Sequence, residues 1–197
     1  MNLIKKRTLK RKIVIISAAA VIAAASASYG TVAYFTSEYT ARNVITAGNV
    51  KIELRENALS DDGTLVPFED RIDVMPGCEV SKIVQVENTG SQSAWIRVSV
   101  KKDIILAEGA AGETDLSLVS FNPDTEHWTE KNGFFYYNTS LEPGQTTEPL
   151  FTSVAFAADM GNLYQDSKAE LTVSAFAVQT ANNGNDAFEA AGWSESK

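Results

Sequence analysis

Few side chains in this sequence are of a type and spacing that could do chemistry. His127 is the sole histidine and stands beside Glu126 in a polar stretch. A hydrolytic zinc centre needs several His, Cys or carboxylate ligands, commonly two on one helical face, and no His-Glu-x-x-His is present. A Ser-His-Asp triad would have to use His127, yet no Gly-x-Ser-x-Gly elbow and no phosphate-cradling glycine loop accompany it. His127 therefore reads as a solvated loop residue. Asp61-Asp62-Gly63 and the pair Asp159/Asp166 could lend carboxylates to Ca2+, the one cofactor worth considering, although the ligand alternation of a calcium loop is missing. Cys78 is the single cysteine, which excludes an internal disulfide and a cysteine zinc cluster. It follows a turn and reads as a small core residue, or, if exposed outside a cell, as a thiol able to dimerise. Asn138-Thr139-Ser140 matches a glycosylation sequon. Trp128 with Phe134-Phe135-Tyr136-Tyr137 could form a carbohydrate platform. Adjacent strand residues face opposite ways, so at least half of that group belongs in a core. No catalytic and no metal-binding residue is assigned, and an enzyme is not expected.

A second kind of chemistry would be done to the chain. Six of the 17 Lys and Arg lie in the first twelve positions, followed by an apolar run from Ile13 to about Ala27 and then by small residues. This is the three-part layout of a secretory signal peptide. Ala25-Ser26-Ala27 and Thr31-Val32-Ala33 both satisfy a small-x-small cleavage rule, giving cuts after Ala27 or after Ala33. The other reading is an uncleaved membrane anchor, since Ile13–Val32 is long enough to span a bilayer. From residue 34 onward 11 basic residues face all 25 acids, a net charge of −14. So acidic a chain is soluble, self-repelling and ill suited to nucleic acid.

The elements that would position these groups are strands. From Phe35 to Ala47 the odd positions are mostly apolar and the even ones mostly polar, predicting a half-buried strand over Tyr34–Ala47 with Phe35, Tyr39, Ala41 and Ile45 on one face. At Gly48-Asn49 the phase flips, so Val50–Glu56 is a separate strand. Asn57–Asp70 reads as a loop and Pro76-Gly77 as a turn into Val80–Asn88. Asn88-Thr89-Gly90-Ser91 is a further turn before Ile96–Lys101, and these two strands are expected to pair antiparallel. Leu116–Phe121 is a short strand. Asn132-Gly133 predicts a tight hairpin and Pro143-Gly144 a turn before Leu150–Ala157. Ala169–Gln179 is apolar on both faces, as in a covered central strand. Residues 181–197 form a polar tail with one helical turn near Ala187–Ala191. The expected fold is all-β, a jelly-roll-like antiparallel β-sandwich over residues 50–180, preceded by an N-terminal signal helix over residues 1–33 and a free strand over 34–49. With 44% hydrophobic residues the chain can fill such a core.

Ala33-Tyr34-Phe35-Thr36 and Thr46-Ala47-Gly48-Asn49-Val50-Lys51-Ile52-Glu53-Leu54 resemble the start of the TasA/camelysin family. The likeness continues through Met75-Pro76-Gly77 and Val86-Glu87-Asn88-Thr89-Gly90-Ser91. Tyr136-Tyr137-Asn138, Leu141-Glu142-Pro143-Gly144, Pro149-Leu150-Phe151 and Ala177-Val178-Gln179 extend it over the C-terminal half. The resemblance implies processing by a signal peptidase of the SipW type around Thr31 and Ala33, leaving Tyr34 as the new N-terminus. It also implies a secreted jelly-roll protein of a Gram-positive cell surface or biofilm matrix. Its partners would be other copies of itself, joined by the N-terminal strand into fibres, with an accessory protein anchoring or nucleating them. Two other readings stand beside it: a monomeric surface sandwich binding glycan or protein, and a camelysin-like cell-surface metalloprotease, for which the sequence offers no recognisable zinc ligands.

Overall fold

Alternating apolar and polar side chains, punctuated by Gly, Pro and Asn turns, fold here into two packed β-sheets. The computed structural model describes residues 35–38, 43–47, 50–69, 71–74 and 76–193, and for 35–38, 43, 45–47 and 71–74 the backbone alone. The expected signal segment, with Thr31, Ala33 and Tyr34, lies outside the described residues, as do Tyr39 and Ala41.

The strands are β1 (Phe35–Glu38), β2 (Asn43–Ala47), β3 (Ile52–Leu59), β4 (Leu65–Pro67), β5 (Arg71–Val74), β6 (Glu79–Asn88), β7 (Ala94–Ile105), β8 (Val119–Phe121), β9 (Trp128–Lys131), β10 (Phe134–Tyr137), β11 (Phe151–Phe156) and β12 (Lys168–Gln179). The first sheet runs β5-β1-β12-β7-β10-β9, with β2 also beside β12, and the second runs β4-β3-β6-β11-β8. Pairing is antiparallel except where β1 and β2 run parallel to β12. Among the described residues the only helical segments are 3-10 turns at Leu116–Leu118 and Asn162–Tyr164. A mostly antiparallel, two-sheet all-β fold is thus what the alternation predicted.

Three local expectations are corrected. β6 and β7 do not pair, because they belong to different sheets. The Asn88–Ser91 segment is a corner that carries the chain across the sandwich. Asn88 is fully buried there, its amide donating to the carbonyls of Gln92 and Leu141 while its carbonyl accepts from the Gly90 N–H. A Cβ on Gly90 would sit 2.8 Å from the Lys51 nitrogen, so only glycine fits this close approach. The expected 57–70 loop holds the end of β3 and all of β4, joined as a hairpin. The first half of the expected strand at Leu116–Phe121 is a 3-10 turn, capped by the Asp115 carboxylate accepting from the Ser117 N–H.

The main core lies between the sheets. Ala169, Leu171, Val173, Ala175 and Ala177 of β12 pack with Val84 and Val86 of β6 and with Val154 and Phe156 of β11. Burial of each large apolar side chain contributes roughly 1.5–3 kcal/mol, which lets the sandwich stand without a disulfide. Lys82 points into this core with no exposed surface, its Nζ 2.6 Å from Glu56 and 3.9 Å from the Phe68 ring centre. The aromatic run divides by parity as strand geometry requires: Phe135 and Tyr137 enter the main core with Trp128, whereas Tyr136 is buried in a second cluster on the outer face.

Candidate assembly edge

β12 is apolar on both faces, with Phe176 and Val178 on the side opposite the main core and nearly inaccessible. Its backbone groups cannot turn to water and need strand partners on both edges. β7 supplies one along the whole length, from Lys168 opposite Ile105 to Gln179 opposite Ala94. The N-terminal segment supplies the other. Thr36 to Glu38 align with Lys168 to Glu170, and Asn43 to Ala47 align with Ser174 to Val178.

The registers of β1 and β2 differ by one. Seven steps from Thr36 to Asn43 cover six from Lys168 to Ser174. The two strands are therefore out of step by one residue, and a one-residue slip exchanges the two sets of faces. The single strand expected over Tyr34–Ala47 is instead two short strands out of phase. Phe35 lies opposite Val74 of β5, and Ile45 opposite Phe176. β1 is enclosed between β12 and β5, while β2 has β12 on one side and no described strand on the other. Val44 is 40% exposed although its register partner Ala175 is fully buried.

The residues considered for chemistry lie elsewhere and do not converge. Among the described residues no three His, Cys, Asp or Glu side chains are grouped so as to hold a metal ion. His127 Nδ1 lies 2.6 Å from Asp124 Oδ2, and this hydrogen bond holds the imidazole above its usual pKa and the carboxyl below its own. Nearby, the Tyr137 hydroxyl donates to Glu148 and holds that carboxyl low, while burial, followed by the Glu148 hydrogen bond, raises the phenol. Asp62 accepts from the Ser60 hydroxyl and the Thr64 N–H, and these bonds bring its pKa down to about 2. It is thus engaged in closing the β3–β4 turn. Cys78 is half-buried against the main core. The Asn138 amide of the sequon donates to the Glu126 carbonyl, and its own carbonyl accepts from Thr129.

One feature was missed in the sequence. Residues 180–193 form a strap over the outer face of the first sheet, with Ala187 and Ala190 buried and Trp193 partly so against Trp95, Tyr136 and Val178. Its hinge is Asn183, whose side chain donates to the carbonyls of Gln179 and Ala191 and accepts from the Ala191 N–H. The Asn183 carbonyl accepts from the Trp95 indole at 3.0 Å. A single turn forms at residues 187–189, where the tail was expected to make one, and the Asp186 carboxylate caps its Phe188 and Glu189 N–H groups. Arg97 lies over the rings of Phe134 and Trp193. Isolated Phe and Trp in a polar tail were the available signal.

Comparison with protein-family models, with curated proteins and with solved structures finds no match.

Proposed function

We propose that this chain is an exported structural subunit of a cell-surface or extracellular matrix assembly, joined through its N-terminal strand segment. The observation that carries the reading is the parallel pairing of β1 and β2 with β12, a strand about 130 residues further along the chain. The segment follows directly on a processing signal, and every copy offers the same acceptor edge. Exchanging the intramolecular strand for a neighbour's preserves the same backbone bonds, and head-to-tail exchange does not close. Export, cleavage after Ala33, a jelly-roll topology and the TasA/camelysin kinship are parts of this proposal. Consecutive strands β6 to β8 and β10 to β12 alternate between sheets, as a jelly roll requires. The partners would be other copies, the signal peptidase and an anchoring or nucleating protein. Cations, Ca2+ included, would act by screening the acidic surface.

The same pairing, made within one chain, favours a second reading: a self-completed monomeric surface module that binds glycan or protein. One experiment separates the two. Val44→Cys with Ala175→Cys, in a Cys78→Ser background, places thiols on in-register neighbouring strands, within disulfide reach. Protein recovered from expressing cells would be concentrated, oxidised mildly and run without reductant. A ladder of crosslinked species, with filaments in the electron microscope, is expected for the subunit. An internally bridged monomer at every salt concentration and pH would overturn it in favour of the module.

A further inference from the structure

The place that β1 occupies has two walls. Thr36 to Glu38 run parallel to Lys168 to Glu170 of β12, and on the other side Phe35 to Glu38 run antiparallel to β5, from Val74 back to Arg71. β5 ends the first sheet, and among the described residues β1 is its only strand partner. β2 differs, because it has β12 alone beside it. Taking β2 out of the sheet breaks one ladder. Taking β1 out breaks two and strips the backbone groups of both walls at once.

Neither wall relies on β1 for its position. β12 is held along its whole length by β7. β5 is fixed at both ends to the second sheet. Before it, Phe68 is buried, its N–H donates to the Glu56 carbonyl of β3 at 3.1 Å, and its ring centre lies 3.9 Å from Lys82 Nζ of β6. After it, the Gly77 N–H donates to the Phe156 carbonyl of β11 at 2.9 Å, and the Phe156 N–H donates to the Cys78 carbonyl at 2.9 Å. Two residues separate Phe68 from β5, and two separate β5 from Gly77. A slot whose walls are anchored elsewhere is preorganised, so only the entering strand has to be ordered. The walls also set its direction, since a reversed strand would meet a different hydrogen-bond spacing on each side.

We propose that this slot is the acceptor site of the assembly: a strand-binding groove between β12 and β5 that takes residues 35–38 of a second copy. The occupant is a second copy because the segment that fits, in direction and in register with both walls, is the chain's own, and every copy carries it. Main-chain bonds on two sides hold the donated β1, and β2, paired on one side, follows it along β12. An empty slot exposes both walls, so it fills while chains fold rather than by release from a finished monomer. The inference rests on the self-assembly reading and adds to it β5, the strand that closes over the donor.

The test uses two full-length chains, each with a single cysteine in a Cys78→Ser background: Thr36→Cys in one and Asp73→Cys in the other, register partners across β1 and β5. Neither chain can form a bridge within itself. The two, carrying tags of different size, are co-expressed, recovered from the cells, oxidised mildly and run without reductant. A control pairs Thr36→Cys with Glu53→Cys, an exposed position in the other sheet. A crosslinked heterodimer at least tenfold more abundant than in the control is expected. Ser37→Cys with Ile72→Cys, the next pair in the register, repeats the measurement if a chain of the first pair fails to fold. Equal yields from test and control pairs would overturn the groove. A Val44/Ala175 ladder without the β1–β5 heterodimer overturns this proposal and leaves exchange through β2 standing, whereas the absence of both overturns the self-assembly reading as well.

Discussion

Lys82 is the residue at which the chain takes its largest electrostatic risk. A charge in a low-dielectric core is tolerated only with a close opposite charge and further polar or aromatic contacts, and removing one partner of such a pair typically costs about 3–5 kcal/mol. Glu56→Leu should therefore destabilise the sandwich by about 3 kcal/mol in urea unfolding. Adding Lys82→Met should recover most of that loss, since an apolar pair of similar volume has no ion to desolvate. Asp62 makes a prediction of opposite character. Its folded pKa, about 2, is below the ordinary 3.8, so its contribution is present above about 4 and is lost as the pH falls through about 2. The protection of the β3–β4 hairpin amides, taken as exchange relative to the intrinsic rate at each pH, should fall across that window, and Asp62→Ala should remove this acid dependence. For His127 the sign reverses. Its folded pKa is raised by Asp124, so its stabilisation is complete below the unfolded value near 6.5 and fades as the pH rises through the folded one. In His127→Gln that slope should vanish.

The elements show where sequence patterns are reliable. Asn132 and Gly133 both adopt positive φ, 54° and 77°, as the shortest hairpin between β9 and β10 demands. Gly133→Ala meets no neighbour and pays only for its backbone conformation, so a loss of about 1 kcal/mol is expected by thermal or urea melting. The apolar faces of β12 and the split of the aromatic run were equally legible, because side-chain parity in a strand is a local property. The strap was not. Its burial depends on Trp95 and Tyr136, distant in sequence, offering a surface on the far side of the sheet. Trp193→Ala with Asn183→Ala should release it, seen as faster proteolysis beyond Gln179 while the main core keeps its unfolding transition.

For the molecule as a whole, the N-terminal pairing and the charge set the expected behaviour. A chain lacking residues 35–47 leaves one edge of β12 without partners and should melt at a lower temperature. A peptide spanning residues 34–47, added at a large excess over its dissociation constant, should restore several degrees, because a ligand that binds only the folded state stabilises it by mass action. No rescue at millimolar peptide would count against an exchangeable strand. With a net charge of −14 over residues 34–197, assembly should accelerate as salt is raised from about 10 to 150 mM, where the Debye length falls from about 30 to 8 Å. Light scattering at fixed protein concentration measures this.

The sequence by itself determined most of the strands and turns, the parity of their faces and the sufficiency of the core, because each follows from steric and burial preferences acting over a few residues; β4 and β5, short and set among loop-forming residues, were not legible. It could not determine partners. That Asn88–Ser91 is a corner between sheets, and that residues 35–47 break into two strands parallel to β12 with a one-residue slip, follow from where distant segments of the chain come to lie. Only the tertiary structure decided those pairings, since a backbone edge carries the same hydrogen-bonding groups whatever its sequence, and the choice among edges is made by packing across the whole sandwich.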